Sequence, residues 1–458
     1  MIKSLSFLPL TKPLSIHSRV VFLLHAFFLI PITFLCQNKQ EVIPNKDSVE
    51  DYYGSEFLRY ENHTYKKNIK TVQLNNKAAE MSSPMIRFNT DDQLKFGFDD
   101  LNAGYQTYNY TIVHCNADWN PSDLSYNEYV NGFTDNPLNE YSYSAGLTTQ
   151  KYTHYTLYFP NENLIILKPG NYLLKVYMNT NQDDLIITRR FMVYENDLTP
   201  ETSFKMGSSL SDALQKQGIN IDLRYAGYDI RNPDDIKLVV MQNERTDNAL
   251  TTLTPTFFRD RELVYESSDE KTEFNGGSEF RNFDIKTIRS RSEHLSKISE
   301  ENGHVQVYLN SDEVRGTQRY SQVPDINGNF LIKIQEGTIS DVEADYCYVH
   351  FFLPYPAPQV NGNMYILGGL TDWQCNSNSK MNYNYERRGY ECVMYLKQGY
   401  YNYEYVILSD NSNIADEAPV EGSHHETEND YTIFIYYRPP AQTYDKLIGV
   451  KRINSARN

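Results

Sequence analysis

The sequence predicts an all-β protein made of tandem immunoglobulin-like or early-set β-sandwich domains. Many short segments alternate apolar and polar residues with a period of two, which is the pattern of half-buried strands. The chain holds 38 tyrosines and 22 phenylalanines among 458 residues, and aromatic residues favour pleated surfaces. Turn residues separate the segments throughout. The length exceeds that of one ordinary core, so we expect two or three domains.

Residues 1–36 have the pattern of an export signal. Basic residues precede an apolar run from Val20 to Leu35, which ends at Cys36. Because the run is short for a membrane span of about 20 residues, we predict a signal peptide, and a transmembrane anchor is the alternative. Cleavage is expected at the Cys36 boundary or at a nearby site. Lipidation of Cys36 stays open, because Leu35 fills the position where a small residue is expected.

A mobile lead-in and a first sandwich are predicted to follow. Residues 37–65 are polar with little apolar periodicity, which is typical of a mobile segment. Residues 66–197 show repeated period-two alternation and turn signals, which predicts an antiparallel sandwich. The predicted strands of this domain are 69–74, 85–88, 94–98, 108–113, 152–159, 171–177 and 186–194.

Two further β domains are expected beyond a polar joint at residues 195–200. We place a middle β-rich domain at residues 198–353 and a C-terminal early-set-like sandwich at residues 354–458, which begins with a proline-rich run. Residues 285–300 fit an amphipathic helix and also fit a twisted strand plus loop. The other predicted strands are 219–223, 236–241, 364–367, 390–396, 401–408 and 431–437.

Charge and motifs argue against several functional classes. The formal net charge is -16 and no Lys/Arg-dense block interrupts the acidity, so we predict no binding to nucleic acid. The sequence has no Gly-x-Ser-x-Gly nucleophile turn and no phosphate-binding Gly-x-x-x-x-Gly-Lys loop. Its carboxylates are evenly scattered, so no catalytic pair stands out. We therefore predict no catalytic residue, no cofactor and no small-molecule substrate.

No metal site is predicted from the histidines and cysteines. His114 and Cys115 are adjacent in a predicted strand, so their side chains point to opposite faces and suit a strand end better than a shared ion. The run at residues 422–428 lacks the histidine spacing of a zinc-protease helix and suits a solvated loop. Cys375 and Cys392 would bridge neighbouring strands in an oxidising compartment, and buried free thiols are the favoured alternative.

One stretch resembles the layout of starch-binding early-set domains. A Gly-Gly-Leu-Thr-Asp-Trp turn at residues 368–373 precedes a Gly-Tyr-Tyr-Asn-Tyr-Glu-Tyr strand at residues 399–405. In a carbohydrate-binding module, Trp373 and Tyr401 would form an exposed aromatic platform. The favoured interpretation gives both residues a structural role in the fold.

Several motifs in order, among them His-Cys-Asn-Ala-Asp-Trp at residues 114–119 and Gly-Ser-His at residues 422–424, resemble the type IX secretion system plug family of Bacteroidetes. The resemblance extends from about residue 66 to residue 449. It implies a non-catalytic periplasmic protein that seats against the periplasmic mouth of a giant outer-membrane β-barrel translocon and closes it when no cargo is passing. The other matching segments are 111–113, 120–122, 128–129, 132–133, 152–155, 159–163, 169–172, 188–193, 279–284, 346–351, 426–431 and 436–438.

A docking loop for that translocon is predicted in the first sandwich. Tyrosine supplies apolar area with a polar tip at a small entropy cost, so tyrosine-rich surfaces suit protein contacts. Ordinary strand packing is the favoured interpretation of the same tyrosines. The expected contact residues are Trp119, Asn127, Tyr129 and Phe133.

Overall fold

The structure is a computed structural model that describes residues 57–225, 227–228, 230–268 and 270–457. The predicted signal peptide and most of the predicted lead-in lie outside the described residues. Strands dominate the described chain, and its helices are single turns. No helix of these residues is long and apolar enough to cross a membrane. The all-β prediction is confirmed.

The first part of the chain forms a sandwich of two sheets. One sheet has the order β1-β12-β11-β5-β7, with β3 parallel to β12, and the other has the order β2-β4-β9-β8. Phe96 and Phe98 from β4 share one buried core with Tyr172 and Leu174 from β11. Its elements are β1 His63–Thr64, β2 Ile69–Asn76, β3 Met85–Arg87, β4 Leu94–Asp100, β5 Tyr108–Cys115, α1 Tyr126–Tyr129, β6 Val130–Gly132, β7 Asn136–Pro137, β8 Glu140–Tyr143, β9 Thr153–Phe159, β10 Leu164–Ile166, β11 Gly170–Met178 and β12 Leu185–Tyr194.

The rest of the chain forms two more sandwiches. Their elements are β13 Glu201–Met206, β14 Lys216–Arg224, β15 Ile236–Gln242, β16 Phe257–Arg259, β17 Glu262–Tyr265, β18 Glu273–Asn275, β19 Arg281–Asp284, β20 Leu295–Glu301, β21 His304–Leu309, β22 Phe330–Ile332, α2 Ser340–Glu343, β23 Tyr346–Pro354, β24 Gly362–Leu367, β25 Asn382–Asn384, β26 Gly389–Lys397, β27 Gly399–Ser409, α3 Ala418–Glu421, β28 Asp430–Tyr437 and β29 Lys446–Asn454. β23 alternates buried and partly exposed side chains, whereas β27 and β28 are buried on both faces along most of their length.

The last two strands of the chain complete the middle sandwich. One of its sheets has the order β13-β14-β17-β16, with β18 beside β14, and the other has the order β15-β28-β29. Ile221 and Leu263 of the first sheet share a buried core with Leu238, Ile433 and Ile448 of the second. Strands far apart in sequence therefore build this domain together.

The third sandwich contains the segment around the predicted boundary at residue 353. Its sheets have the orders β20-β21-β23-β26-β25 and β19-β27-β22, with β24 beside β27. β23 pairs with β26 along its whole length, so strand pairing crosses that boundary. We propose a discontinuous middle domain, closed by β28 and β29, with the third sandwich inserted into it. Within residues 285–300 the chain is a loop followed by β20, which is the strand-plus-loop alternative and not the helix.

All four cysteines of the described residues are buried and unpaired. Burial raises the pKa of the Cys375 and Cys392 thiols to about 12. Desolvation of the thiolate explains this rise, and it makes the buried thiol the stable form at neutral pH. Of the two alternatives for this cysteine pair, the structure has the buried free thiols.

Candidate interaction surface

Trp119 lies in a tight turn after β5 and faces the protein interior. The turn is closed by backbone hydrogen bonds from Asn116 N to Asn120 O at 2.8 Å and from Trp119 N to Asn116 O at 2.9 Å. Trp119 adopts a left-handed φ of 64°. Its half-buried ring lies 4.3 Å from the guanidinium carbon of Arg190 and packs beside an apolar contact between the first and middle sandwiches. Trp119 therefore contributes to the packing of the fold.

The single-turn helix α1 contains two predicted contact residues and turns one towards solvent and the other into the core. Ser125 and Glu128 form a capping box, with Glu128 Oε2 2.8 Å from the Ser125 backbone nitrogen, which holds the start of the helix. Asn127 is exposed on this turn. Tyr129 is buried, and its hydroxyl donates to Ile112 O at 3.4 Å. Only the first of these two side chains is available to a partner.

The two-stranded sheet of β6 and β10 presents a face of apolar and amide side chains to solvent. Val130, Leu164 and Ile166 point into the first core. The intervening side chains point outward because successive strand residues alternate between faces. Phe133 is 66% exposed and Ile165 is 44% exposed. We name this outward surface the β6–β10 face, and it consists of Asn131, Phe133, Asn163, Ile165 and Leu167.

The backbone at Phe133 is held firmly although its ring is exposed. Phe133 N donates to Asn163 O at 3.1 Å, and the hydroxyl of Tyr126 donates to Phe133 O at 2.6 Å. The preceding Gly132 has a φ of +153°, and a Cβ there would stand 2.0 Å from Asn163 O. The backbone that carries the ring is therefore ordered before any partner binds, which lowers the entropic cost of a contact there.

Of the four predicted contact residues, the structure exposes Asn127 and Phe133. Tyr129 is buried and Trp119 is half-buried, so neither supplies a freely accessible surface; whether the loop docks a partner stays a prediction. Sequence reasoning missed Ile165 and Leu167, both exposed. The apolar run at residues 164–167 carried a signal, because alternation forces one half of such a strand outward.

Exposed tyrosines also line the edge of the β2-β4-β9-β8 sheet. Tyr141 and Tyr143 lie on the terminal strand β8, with ring centroids 5.6 Å apart. Tyr105 from a neighbouring loop adds a third exposed ring, 5.0 Å from Tyr141. Amphipathic rings on an open strand edge suit contact with another protein.

A buried charge cluster joins the first and third sandwiches. Asp99 on β4 is fully buried, and its carboxylate lies 2.6 Å from Lys397 Nζ and 2.6 Å from His154 Nδ1. The hydroxyl of Tyr346 also donates to Asp99 at 2.7 Å. Burial alone would raise the pKa of Asp99, but Lys397 and His154 outweigh it and hold this pKa below its usual value.

Three further charged contacts connect the sandwiches. Arg189 of the first sandwich reaches Asp372 of the third at 3.0 Å. Asp445, which precedes β29, accepts from the backbone nitrogen of Ala117 at 3.0 Å. Arg245 of the middle sandwich lies 2.8 Å from Glu417 of the segment that follows β27. These three contacts connect the sandwiches within the described residues.

The two aromatic residues of the sugar-platform alternative are buried. Trp373 is 8% exposed and packs edge-on against Phe280, with ring centroids 5.8 Å apart. Tyr401 is 2% exposed and stacks on Phe283 at 5.1 Å. A sugar ring stacks only on an accessible aromatic face, so these side chains supply packing to the third sandwich and do not form a platform.

His114 and Cys115 also have structural surroundings. His114 Nδ1 is 2.9 Å from Ser122 Oγ and its Nε2 is 3.3 Å from Pro169 O. Burial lowers the pKa of His114 to about 4, so the ring is neutral at physiological pH. Cys115 is fully buried on the opposite side of β5. Within the described residues, no group of three or more His, Cys, Asp or Glu side chains is placed to hold a metal ion.

Comparison with known proteins agrees with the motif resemblance. A family model described as type 9 secretion system plug protein 1st domain matches residues 69–195, which correspond to the first sandwich. A hypothetical protein from Parabacteroides merdae ATCC 43184, known from a crystal structure, is 34% identical in sequence to this chain. The two structures superpose with a TM-score of 0.83, and the match covers 87% of this chain and 100% of that chain. No curated protein matches the chain. The chain belongs to the type IX secretion system plug family.

Proposed function

We propose that this protein is a non-catalytic periplasmic plug that binds and seals the periplasmic mouth of the type IX outer-membrane translocon barrel when no cargo is in transit. The observation that carries the proposal is the match of the first sandwich to the plug family model. The partner is the giant barrel, and neither a cofactor nor a small-molecule substrate is required.

The architecture suits such a role. A plug must resist deformation, and the buried Asp99–Lys397 pair and the partly exposed Arg189–Asp372 pair connect the first and third sandwiches. A plug must also offer a contact surface that is ready before binding. The β6–β10 face provides apolar side chains on an anchored backbone, centred on Phe133.

The first test is capture of the partner. Tagged protein would be recovered from detergent-solubilised membranes, and bound proteins identified by mass spectrometry. Recovery of one very large outer-membrane barrel supports the proposal, and a preparation without it refutes the proposal. Deletion of the gene should also make the outer membrane permeable to molecules that are normally excluded.

Variants of the β6–β10 face test where the barrel docks. Phe133→Asp places a charge in the centre of the proposed contact, and Val360→Asp places the same charge at an 87% exposed site on the third sandwich. We expect the first substitution to reduce barrel recovery at least tenfold and the second to leave it unchanged, since a buried unpaired charge opposes association. Equal recovery with both variants would assign docking to another surface.

The carbohydrate-binding alternative makes a separate prediction. Retention on a glucan column would support it, but Trp373 and Tyr401 offer no exposed ring for stacking. We therefore favour the plug.

A further inference from the structure

A large cleft lies between the first and third sandwiches and has a charge opposite to that of the whole protein. Its volume is about 1240 Å³, which is larger than a typical small-molecule pocket. Eight Lys and Arg residues line it, against the two carboxylates Asp372 and Glu391. The formal net charge of the chain is -16. This local excess of cations is therefore not a reflection of the overall composition.

Part of the positive charge is not neutralised within the fold. Lys397 pairs with the buried Asp99, Arg189 pairs with Asp372, and Arg387 lies 3.2 Å from Glu391. Lys67, Lys70 and Lys297, in contrast, have no carboxylate at ion-pair distance among the described residues. Burial lowers the pKa of Lys70, and no acidic neighbour offsets this effect. An anionic ligand in the cleft would supply the missing counter-charge.

One wall of the cleft is an edge strand. β2 is the terminal strand of its sheet and pairs only with β4 in the described structure. Lys70, Thr71 and Val72 of this strand line the cleft, beside a register irregularity between Lys70 and Gln73. A terminal strand offers backbone donors and acceptors to an extended polypeptide, in the manner of strand addition. A polysaccharide has no matching backbone pattern.

The opposite wall carries aromatic rings with cations over their faces. The rings of Tyr308 and His350 are stacked with centroids 4.2 Å apart. Lys297 Nζ lies 5.2 Å from the Tyr308 centroid, and the Arg387 guanidinium carbon lies 3.7 Å from the centroid of Phe352. Aromatic faces and cations on one wall offer contacts both to apolar side chains and to carboxylates.

We propose that this cleft binds an acidic polypeptide segment in an extended conformation. The inference is independent of the plug function and of the β6–β10 face. The positive lining selects carboxylates, the edge strand selects an extended backbone, and the aromatic wall accommodates the intervening side chains.

The test measures fluorescence anisotropy of a fluorescein-labelled peptide of about ten residues, with alternating glutamate and valine, titrated with the purified protein. At about 3.3 Å per residue this peptide spans roughly 30 Å in extended form. The matched probe replaces every glutamate by glutamine, and heparin serves as an anionic polysaccharide. We expect the acidic peptide to bind at least tenfold more tightly than its glutamine counterpart, and binding to weaken as salt is added.

Two charge-reversal variants complete the design. Lys67→Glu/Lys297→Glu changes exposed cations of the cleft, and Arg319→Glu/Lys333→Glu changes the same number of exposed cations that do not line it. Circular dichroism checks that both variants fold. If the Lys67→Glu/Lys297→Glu variant does not fold, Lys67→Gln/Lys297→Gln takes its place.

A loss of at least tenfold in peptide affinity for the cleft variant alone supports the proposal. The absence of peptide binding, or an equal loss in both variants, overturns it. Binding of heparin without binding of the acidic peptide also overturns it, because the site would then select a polysaccharide.

Discussion

Replacing Lys397 by methionine tests whether the buried cluster at Asp99 holds the first and third sandwiches together. Lys397 is 1% exposed by side chain, and its ammonium group lies 2.6 Å from an Asp99 oxygen. It also donates to Asp341 O at 2.7 Å. Methionine has a similar length and no charge, so the substitution removes the counter-charge with little change in volume.

The expected loss in the free energy of unfolding is about 3–5 kcal/mol, because Asp99 would remain as a buried charge without its ammonium partner. A matched control is Lys95→Met at the same interface. Lys95 pairs with Asp341 at 2.8 Å, but both side chains are about one-third exposed. Solvent screens such a pair, so this variant should lose no more than about 1 kcal/mol.

Urea denaturation followed by circular dichroism and by tyrosine and tryptophan fluorescence measures both variants. A protein of several domains can unfold in more than one step, so the first transition is the quantity compared. Adding Asp99→Asn to Lys397→Met should recover part of the loss, since it removes the unpaired carboxylate. If Lys397→Met and Lys95→Met shift the first transition equally, the buried pair does not lock the sandwiches and the reasoning fails.

Three other predictions concern protonation and packing. Burial lowers the pKa of His63 and His114 from 6.5 to about 4. Because the unfolded state takes up these protons at a higher pH than the folded state, the contribution of these residues to stability should be full above pH 6.5 and should fall as the pH drops towards 4. His114→Gln should make the urea midpoint depend less steeply on pH in this range. An unchanged slope would contradict this. Trp373→Ala should lower the free energy of unfolding by about 3–5 kcal/mol, measured in urea, without changing retention on glucan. The Cβ added by Gly132→Ala would stand 2.0 Å from Asn163 O, so this variant should lower both the thermal midpoint and the recovery of the barrel. Normal recovery would show that the position of Phe133 is not needed for binding.

Seven strands of the first sandwich could be predicted because their pattern is local, and the short strands β1, β6, β7, β8 and β10 were not predicted. The alternation at residues 94–98 and 171–177 predicts strands, and the structure has β4 and β11 there, with β11 buried on both faces. The same local reasoning predicted an all-β fold and, through ordered motifs, the plug family. It did not list β23 or β29, whose apolar residues on both faces obscure the alternation.

What the sequence by itself determined is therefore the strand content, the export signal as a prediction, and the family. Only the tertiary structure decided which strands close the middle sandwich, since the pairing of β15 with β28 joins residues distant along the chain. It also decided that Trp373 is buried and Phe133 exposed. The physical reason is that a period of two reports which side chains share a face, but whether that face meets another sheet, another domain or water depends on packing between segments that no local pattern records.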